Sequence, residues 1–250
     1  NGFPLIVMEL KNQFTNQNVY NAIKQFKEDR NPKESMFEFN RRVLVYFAVD
    51  TDEVYMTTEL KGKNTYFLPF NKGNNRGKGN PPVEGKEKTS YLWEEILTKD
   101  SLLDIVKRFY FIEKDGTKDR RAIFPRFHQL DAVRKIVSDL KINKAGKNYL
   151  IQHSAGSGKT NTIAWTAHRL SSLHDENNDA IFDSVIVVTD RKVLDKQLQD
   201  AIYQLEHKHG LVVKIDDKKN SSDLADAINN RAKIIITTIQ KFQYALPKIE

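Results

Sequence analysis

The sequence has 250 residues, 40 Lys+Arg against 33 Asp+Glu for a formal net charge of +7, and 39% hydrophobic residues, enough for one or two domains with a buried core. It contains no cysteine, which excludes disulfide frameworks, zinc fingers and cysteine nucleophiles and fits a reducing compartment. No stretch approaches the ~20 consecutive apolar residues that would span a bilayer, and the opening residues lack the basic start and cleavage site of a signal peptide.

The chain opens on Asn1 rather than an initiator Met, which suggests a piece of a longer protein. Pro4 to Leu10 is an apolar strand, and its end reads Glu9-Leu10-Lys11. Side chains alternate along a strand, so Glu9 and Lys11 fall on one face and can converge on a single phosphate; a strand end that simply meets solvent is the plainer alternative. A helical pattern through Tyr20, Ile23 and Phe26 carries Gln25, and Arg42 to Val49 is the next strand. Lys61 to Ser90 holds five glycines, three prolines and seven Lys/Arg against two Glu, so it is a basic loop. It is either a solvated connection or a phosphate-contacting loop beside a nucleic-acid site. Tyr91 to Phe109 spaces Leu92, Ile96, Leu102, Leu103, Val106 and Phe109 as one or two helices would.

A second organisation begins near Arg120. Pro125 to Leu140 is helical, Asn148 to Gln152 is a short apolar strand, Thr160 to Leu173 is helical and Ser184 to Thr189 is a β-branched strand. Val193 to His207 is a helix, Leu211 to Ile215 a strand, Ser222 to Asn230 a helix and Lys233 to Thr238 a strand. Parallel strands need crossover helices, so the alternation predicts βαβ units and a parallel sheet covered on both faces. The fold class is therefore α/β.

Between the strand at 148–152 and the helix from Thr160 lies His153-Ser154-Ala155-Gly156-Ser157-Gly158-Lys159-Thr160. Glycines let backbone N–H groups curl around a polyphosphate, the helix N-terminus favours the anion, a lysine reaches the β and γ phosphates, and a hydroxyl holds Mg²⁺. Gly156, Ser157, Gly158, Lys159 and Thr160 supply these parts, although His153 stands where the GxxxxGK[ST] template has glycine. The segment resembles the ATP-binding loop of superfamily 2 helicases. Upstream, Phe127-His128-Gln129 opens a helix where many such helicases place a glutamine, and Gln129 is the candidate for adenine selection, since an amide both donates and accepts. Downstream, Asp190 ends an apolar strand and suits either Mg²⁺ or a helix cap. The following Arg191 to Leu198 resembles the helicase segment that grips nucleic-acid backbone, with Arg191 as the DNA contact, and Ile234 to Phe242 is similar to a later segment that contacts single-stranded backbone through hydroxyls and amides.

The order of these motifs, an ExK strand, a glutamine-bearing helix, a basic glycine-rich loop and a helicase domain with Ser-Ala-Gly-Ser-Gly-Lys-Thr, resembles the restriction (R, HsdR) subunit of type I restriction-modification enzymes. That resemblance covers nearly the whole chain. It implies the remainder of a PD-(D/E)xK nuclease domain at 1–115, followed by a first, incomplete RecA-like P-loop domain at 116–250. It further implies Glu9 on Mg²⁺, Lys11 on the reacting phosphate, Gln25 orienting the site, ATP and Mg²⁺ at Lys159 and Thr160, and DNA at Arg191, Lys192 and Thr238. The partners implied are double-stranded DNA and the modification (methyltransferase) and specificity subunits of the same complex, in bacterial or archaeal cytoplasm and with no membrane. The 250 residues alone are expected to be inactive. Asp29 departs from the family's QxxxY pattern, where tyrosine should follow Gln25 by four, and Asp50 and Asp52 stand in the wrong order for the metal-binding aspartate that family carries earlier. A helicase or remodelling motor without nuclease activity, and a non-catalytic DNA-binding module with ATP as a structural ligand, remain the alternatives.

Overall fold

The computed structural model describes residues 3–115, 118–190, 192–205, 210–215 and 219–249. They fall into two compact units, the first ending at His128 and the second starting at Gln129. None of the helices among these residues is long and apolar enough to cross a membrane.

In the first unit, β1 (Ile6–Leu10) and β2 (Val45–Val49) run parallel, with Ile6 opposite Val45 and Leu10 opposite Val49. Helix α1 (Val19–Glu28) makes the crossover that a parallel pair requires. Strands β3 (Val54–Thr57) and β4 (Leu68–Pro69) continue the sheet antiparallel, giving the order β1-β2-β3-β4. Strand β2 is buried along its whole length because both of its faces are covered. Tyr46 and Ala48 meet Val19, Ala22 and Phe26 of α1 together with Phe37, Val43, Leu60 and Phe67. On the alternate parity, Phe47 packs edge-on against Phe70 and Phe124, and Phe70 and Tyr91 meet Phe127 in the same way. The buried stripe of α1 is thus Val19, Ala22 and Phe26, whereas Tyr20, expected inward from its spacing, is exposed beside the ring of Tyr55.

Residues 92–109 form a π-helical turn, Leu92–Ile96, and α2 (Lys99–Arg108), burying Ile105 but leaving Leu103 exposed. A hairpin of β5 (Phe111–Asp115) and β6 (Lys118–Ile123), which the sequence pattern did not announce, precedes Phe124.

In the second unit, α3 (Phe127–Asn143), whose first turn crosses the boundary, leads through an irregular segment to α4 (Lys159–Ser171). Strands β7 (Val185–Thr189), β8 (Val212–Lys214) and β9 (Ile234–Thr238) form a wholly parallel sheet in the order β7-β9-β8. The crossovers are α5 (Lys192–Gln204) and α6 (Ser221–Asn229), and α7 (Ile239–Ala245) follows β9. Central β9 is buried throughout, and its Ile235 packs with Ile215, Leu224, Ala227 and Ala245.

The strand expected at 148–152 is not formed. Leu150 is 94% exposed, and none of the described strands pairs with the segment, so its apolar residues have neither a ladder nor a core. It is instead tethered to α3, where Asp139 accepts from the Tyr149 hydroxyl at 2.5 Å and from Lys147 at 3.1 Å. Those contacts hold the Asp139 carboxyl below its usual range, the Tyr149 hydroxyl first among them.

Candidate functional site

The phosphate-loop segment is a tight turn stacked on the start of α4. Ser157 N–H and its hydroxyl both donate to the Ser154 carbonyl, at 3.3 and 2.7 Å, which curls the chain back on itself. Gly156 and Gly158 take φ of +71° and +85°, a region that side-chain-bearing residues rarely occupy. Gly158 is the N-cap of α4 and brings no side chain to it, so no side-chain oxygen caps the first N–H groups of the helix. Lys159 Nζ lies across the turn and donates to the carbonyls of Ser154 at 2.8 Å and His153 at 3.2 Å. A lysine folded onto loop carbonyls, beside uncapped N–H groups and two left-handed glycines, is the donor arrangement that a polyphosphate would satisfy. Thr160 follows in the first turn of the same helix.

Gln129 is only 3% exposed and reaches this loop. Its Nε2 donates to the Gly158 carbonyl at 2.8 Å, and a methyl group built on Gly158 would lie 2.4 Å from that nitrogen. Gly158 must therefore be glycine for two reasons, its φ and the glutamine packed against its α-carbon.

The other sequence-derived residues of the second unit are less gathered. Asp190 is exposed at the end of β7. Arg191 lies outside the described residues, as does the Lys192 side chain. Thr238 is buried and stands opposite Thr189 in the β7–β9 ladder. The hydroxyls of Thr189 and Thr237 have no hydrogen-bond partner among the described residues.

In the first unit, two of the residues expected at the end of β1, Lys11 and Gln25, meet directly, whereas Glu9 is held by Arg30. Lys11 N–H donates to the Val49 carbonyl at 2.9 Å, extending the parallel pairing past the strand, and its Nζ donates to Gln25 Oε1 at 2.6 Å. Helix α1 therefore sets its glutamine directly on the lysine. Asp29, where a tyrosine was expected, is the C-cap of α1 and donates its N–H to the Gln25 carbonyl. Glu9 accepts from Arg30 Nε at 2.8 Å and also from Nη2, both on Oε1. Sequence reasoning missed Arg30, and no pattern marks it: it is one cation among Lys24, Lys27 and Lys33, singled out only by where the chain leaves α1.

Asp50 has a structural task. Its Oδ2 accepts from Val19 N–H at the start of α1, at 2.8 Å, and its Oδ1 from the N–H groups of Asp52 and Glu53, at 2.8 and 2.7 Å. With Asp52, Glu53, Gln13, Asn18 and Tyr20 it lines a cleft of about 410 Å³. Glu53 is pushed above the usual carboxylate range, by partial burial first and then by its neighbours Asp50 and Asp52. Among the described residues, no group of three His, Asp or Glu side chains could enclose a metal ion. Glu9 offers hard carboxylate oxygen of the kind Mg²⁺ takes beside water and phosphate, but its side chain is 12% exposed and its Oε1 is held by Arg30.

Four of the seven cations of the basic loop have acidic partners within its own unit. Lys61 pairs with Glu59, Lys72 with Glu95 and Lys86 with Glu94, each at 2.8 Å, and Lys88 with Asp52 at 2.6 Å. These contacts favour the solvated-connection reading of the loop.

Comparison with known proteins bears on both units. Residues 1–65 match the family model of the type I restriction enzyme R protein N terminus, and residues 128–250 match that of the SWI2/SNF2 ATPase. The chain is similar to a protein of Methanocaldococcus jannaschii provisionally described as the type I restriction enzyme MjaVIIIP endonuclease subunit, with 29% identity over 83% of this chain and 19% of the relative. It is also similar to the type I restriction enzyme HindI endonuclease subunit of Haemophilus influenzae, with 25% identity over 97% of this chain and 23% of the relative. The SauCOLORF180P endonuclease subunit of Staphylococcus aureus is 25% identical over 98% of this chain and 24% of its own length. The chain thus spans about a fifth to a quarter of the curated relatives it matches. No solved structure matches it.

Proposed function

Given a chain in which the N-terminal region of a type I restriction R protein is followed by a SWI2/SNF2-type ATPase domain, we propose that it is part of a restriction subunit that couples ATP-driven translocation on double-stranded DNA to Mg²⁺-dependent endonucleolytic cleavage. The observation that carries this reading is the contact of Lys11 with Gln25 at the end of the strand that bears Glu9, in the same chain as a glycine-capped loop at the start of α4. The first unit is the later part of a PD-(D/E)xK nuclease domain and the second a RecA-like motor domain. The division expected at 115/116 would fall between β5 and β6 and split their hairpin, whereas the two compact units divide thirteen residues later, at 128/129, which leaves the hairpin with the nuclease side.

In this reading, Lys159 leaves the carbonyls of His153 and Ser154 for the β and γ phosphates of ATP, and the N–H groups around Gly156, Ser157 and Gly158 close on the remaining oxygens. Gln129 leaves the Gly158 carbonyl, on which its Nε2 rests, for the adenine edge, and the Thr160 hydroxyl orients toward the nucleotide's Mg²⁺. At the strand end, Gln25 fixes the Lys11 ammonium, which stabilises charge on the scissile phosphate, while Glu9 is one ligand of Mg²⁺. When bound there, Mg²⁺ supplies Lewis-acid activation of the phosphodiester and of the attacking water. Arg191, Lys192 and Thr238 contact the DNA backbone. The partners are the modification and specificity subunits, in the cytoplasm, and the 250 residues alone turn over neither ATP nor DNA.

The test is Mg²⁺-dependent ATP hydrolysis and linear-DNA cleavage by the full-length protein with its partner subunits. Lys159→Ala should lose both activities, because cleavage follows translocation, and Glu9→Ala should lose cleavage alone. Normal cleavage by Glu9→Ala would leave a motor without a nuclease at this strand, a reading that the Glu9–Arg30 pair specifically favours.

A further inference from the structure

Of the seven cations in the basic loop, Lys63, Arg76 and Lys78 have no acidic partner among the described residues. Arg76 and Lys78 stand together on an exposed turn that is tightly closed. Gly73 N–H donates to the Gly79 carbonyl at 2.8 Å, Asn74 N–H to the Gly77 carbonyl at 3.1 Å, and Gly77 N–H back to the Asn74 carbonyl at 2.7 Å. Between Asn74 and Gly77 both residues take positive φ, +46° at Asn75 and +63° at Arg76, the sign that a two-residue type I′ connection requires. Asparagine enters this region readily, whereas at the second position glycine is the unstrained choice. The chain holds an arginine there instead, with its side chain exposed. Left-handed residues other than glycine cost stability, and they gather where a ligand is held.

The base of this hairpin is clamped. Asn80, 5% exposed, accepts from Lys72 N–H at 2.8 Å and donates through Nδ2 to the Asp52 carbonyl and to Asn71 Oδ1, each at 2.9 Å. The Asp52 carboxylate in turn accepts from Gln13 Nε2 at 2.5 Å. Gln13 lies two residues past Lys11, and Asp52 three past the end of β2, so the hairpin is seated on the rim where the parallel strands β1 and β2 both end. Solvation accounts for the paired lysines of the loop, but not for a strained arginine fixed at this rim. Resting on the DNA substrate proposed above, we propose that hairpin 73–79 is a DNA-contacting arm, with Arg76 and Lys78 each on a backbone phosphate. The guanidinium takes its phosphate through paired N–H groups and Lys78 acts as a point charge. Such contacts fix a duplex in position whatever its sequence.

The experiment follows binding of the full-length protein to a short fluorescein-labelled duplex of random sequence by anisotropy, without ATP or Mg²⁺, across a series of KCl concentrations. Arg76→Gly, Lys78→Ala and the double variant are compared with wild type. Lys86→Ala, which removes a cation already paired with Glu94, is the control. Arg76→Gly relieves the left-handed strain and so preserves the turn, and melting profiles report the fold. Each single variant should reduce the slope of log K against log salt by about 1, and the double variant by about 2 with binding about tenfold weaker, while Lys86→Ala matches wild type. An unchanged slope in the double variant, or a loss in Lys86→Ala equal to that of a turn substitution, would overturn the hairpin contact and leave the proposed function standing. Failure of the wild-type protein to bind duplex at any salt concentration would instead remove the DNA reading, and this inference with it.

Discussion

Gly158 shows how much one position can be asked to do. It caps a helix, adopts a left-handed φ of +85° and lies against the buried Gln129 amide. Gly158→Ala should cost about 1–2 kcal/mol from the left-handed backbone alone, with the steric clash added, and should abolish binding of a fluorescent ATP analogue. Gln129→Ala in the same chain should restore part of the lost thermal stability, because it removes the clash and leaves only the backbone strain, without restoring nucleotide binding. Glu53 offers a second residue-level test through pH. Its folded pKa is raised, so its contribution to stability is fully present below the ordinary carboxylate range and is lost as pH rises through the folded value. Glu53→Gln should therefore be the more stable protein at neutral pH, by about 0.5 kcal/mol after allowance for solvent screening, with the gap closing in acid. Thermal melts at pH 7 and pH 4 would show it.

Among the elements, α1 is the one on which the strand-end site depends, because it carries Gln25 and delivers Arg30. Its start is held twice. Asn18 caps it in a reciprocal pair with Asn21, and the Asp50 carboxylate accepts the Val19 N–H from the end of β2. Asp50→Ala would strand three backbone donors in a partly buried turn and should cost about 2 kcal/mol in urea denaturation. Asn18→Ala should cost about 1 kcal/mol as a lost cap. Neither residue stood out in the sequence as structural, since an acid after a strand reads equally well as a ligand, and only the direction of its oxygens separates the two. The segment at 148–152 makes the converse point: its apolar run satisfies the local pattern of a strand, yet a strand exists only where a neighbour supplies the ladder.

At the level of the whole molecule, the described residues hold separate cores, one around Phe26, Tyr46 and Ala48 and another around Ile215, Leu224 and Ile235. Phe26 is fully buried against Tyr46 and Phe67, and truncating it to alanine should cost about 3–5 kcal/mol. That loss should unfold the first unit while a fluorescent ATP analogue still binds the second, which hydrogen exchange with mass spectrometry can follow unit by unit.

Whereas the strand read at 148–152 is not formed, the alternation of strands and helices from Val185 to Thr238, the glycine-rich turn before α4 and the strand ending in ExK were legible in the sequence. Each is a local pattern, written in residues whose spacing obeys a strand or helix period or a turn's demand for glycine. The β5–β6 hairpin, the packing of Phe124 and Phe127 on the sheet of the first unit, the seat of Gln129 on Gly158 and the claim of Arg30 on Glu9 were not. Those facts join residues distant in the chain, and their partners are chosen by where strands and helices end in space. Local periodicity determines which elements form and which face of each is apolar; which side chains meet across them is decided only when the sheet and its crossovers close.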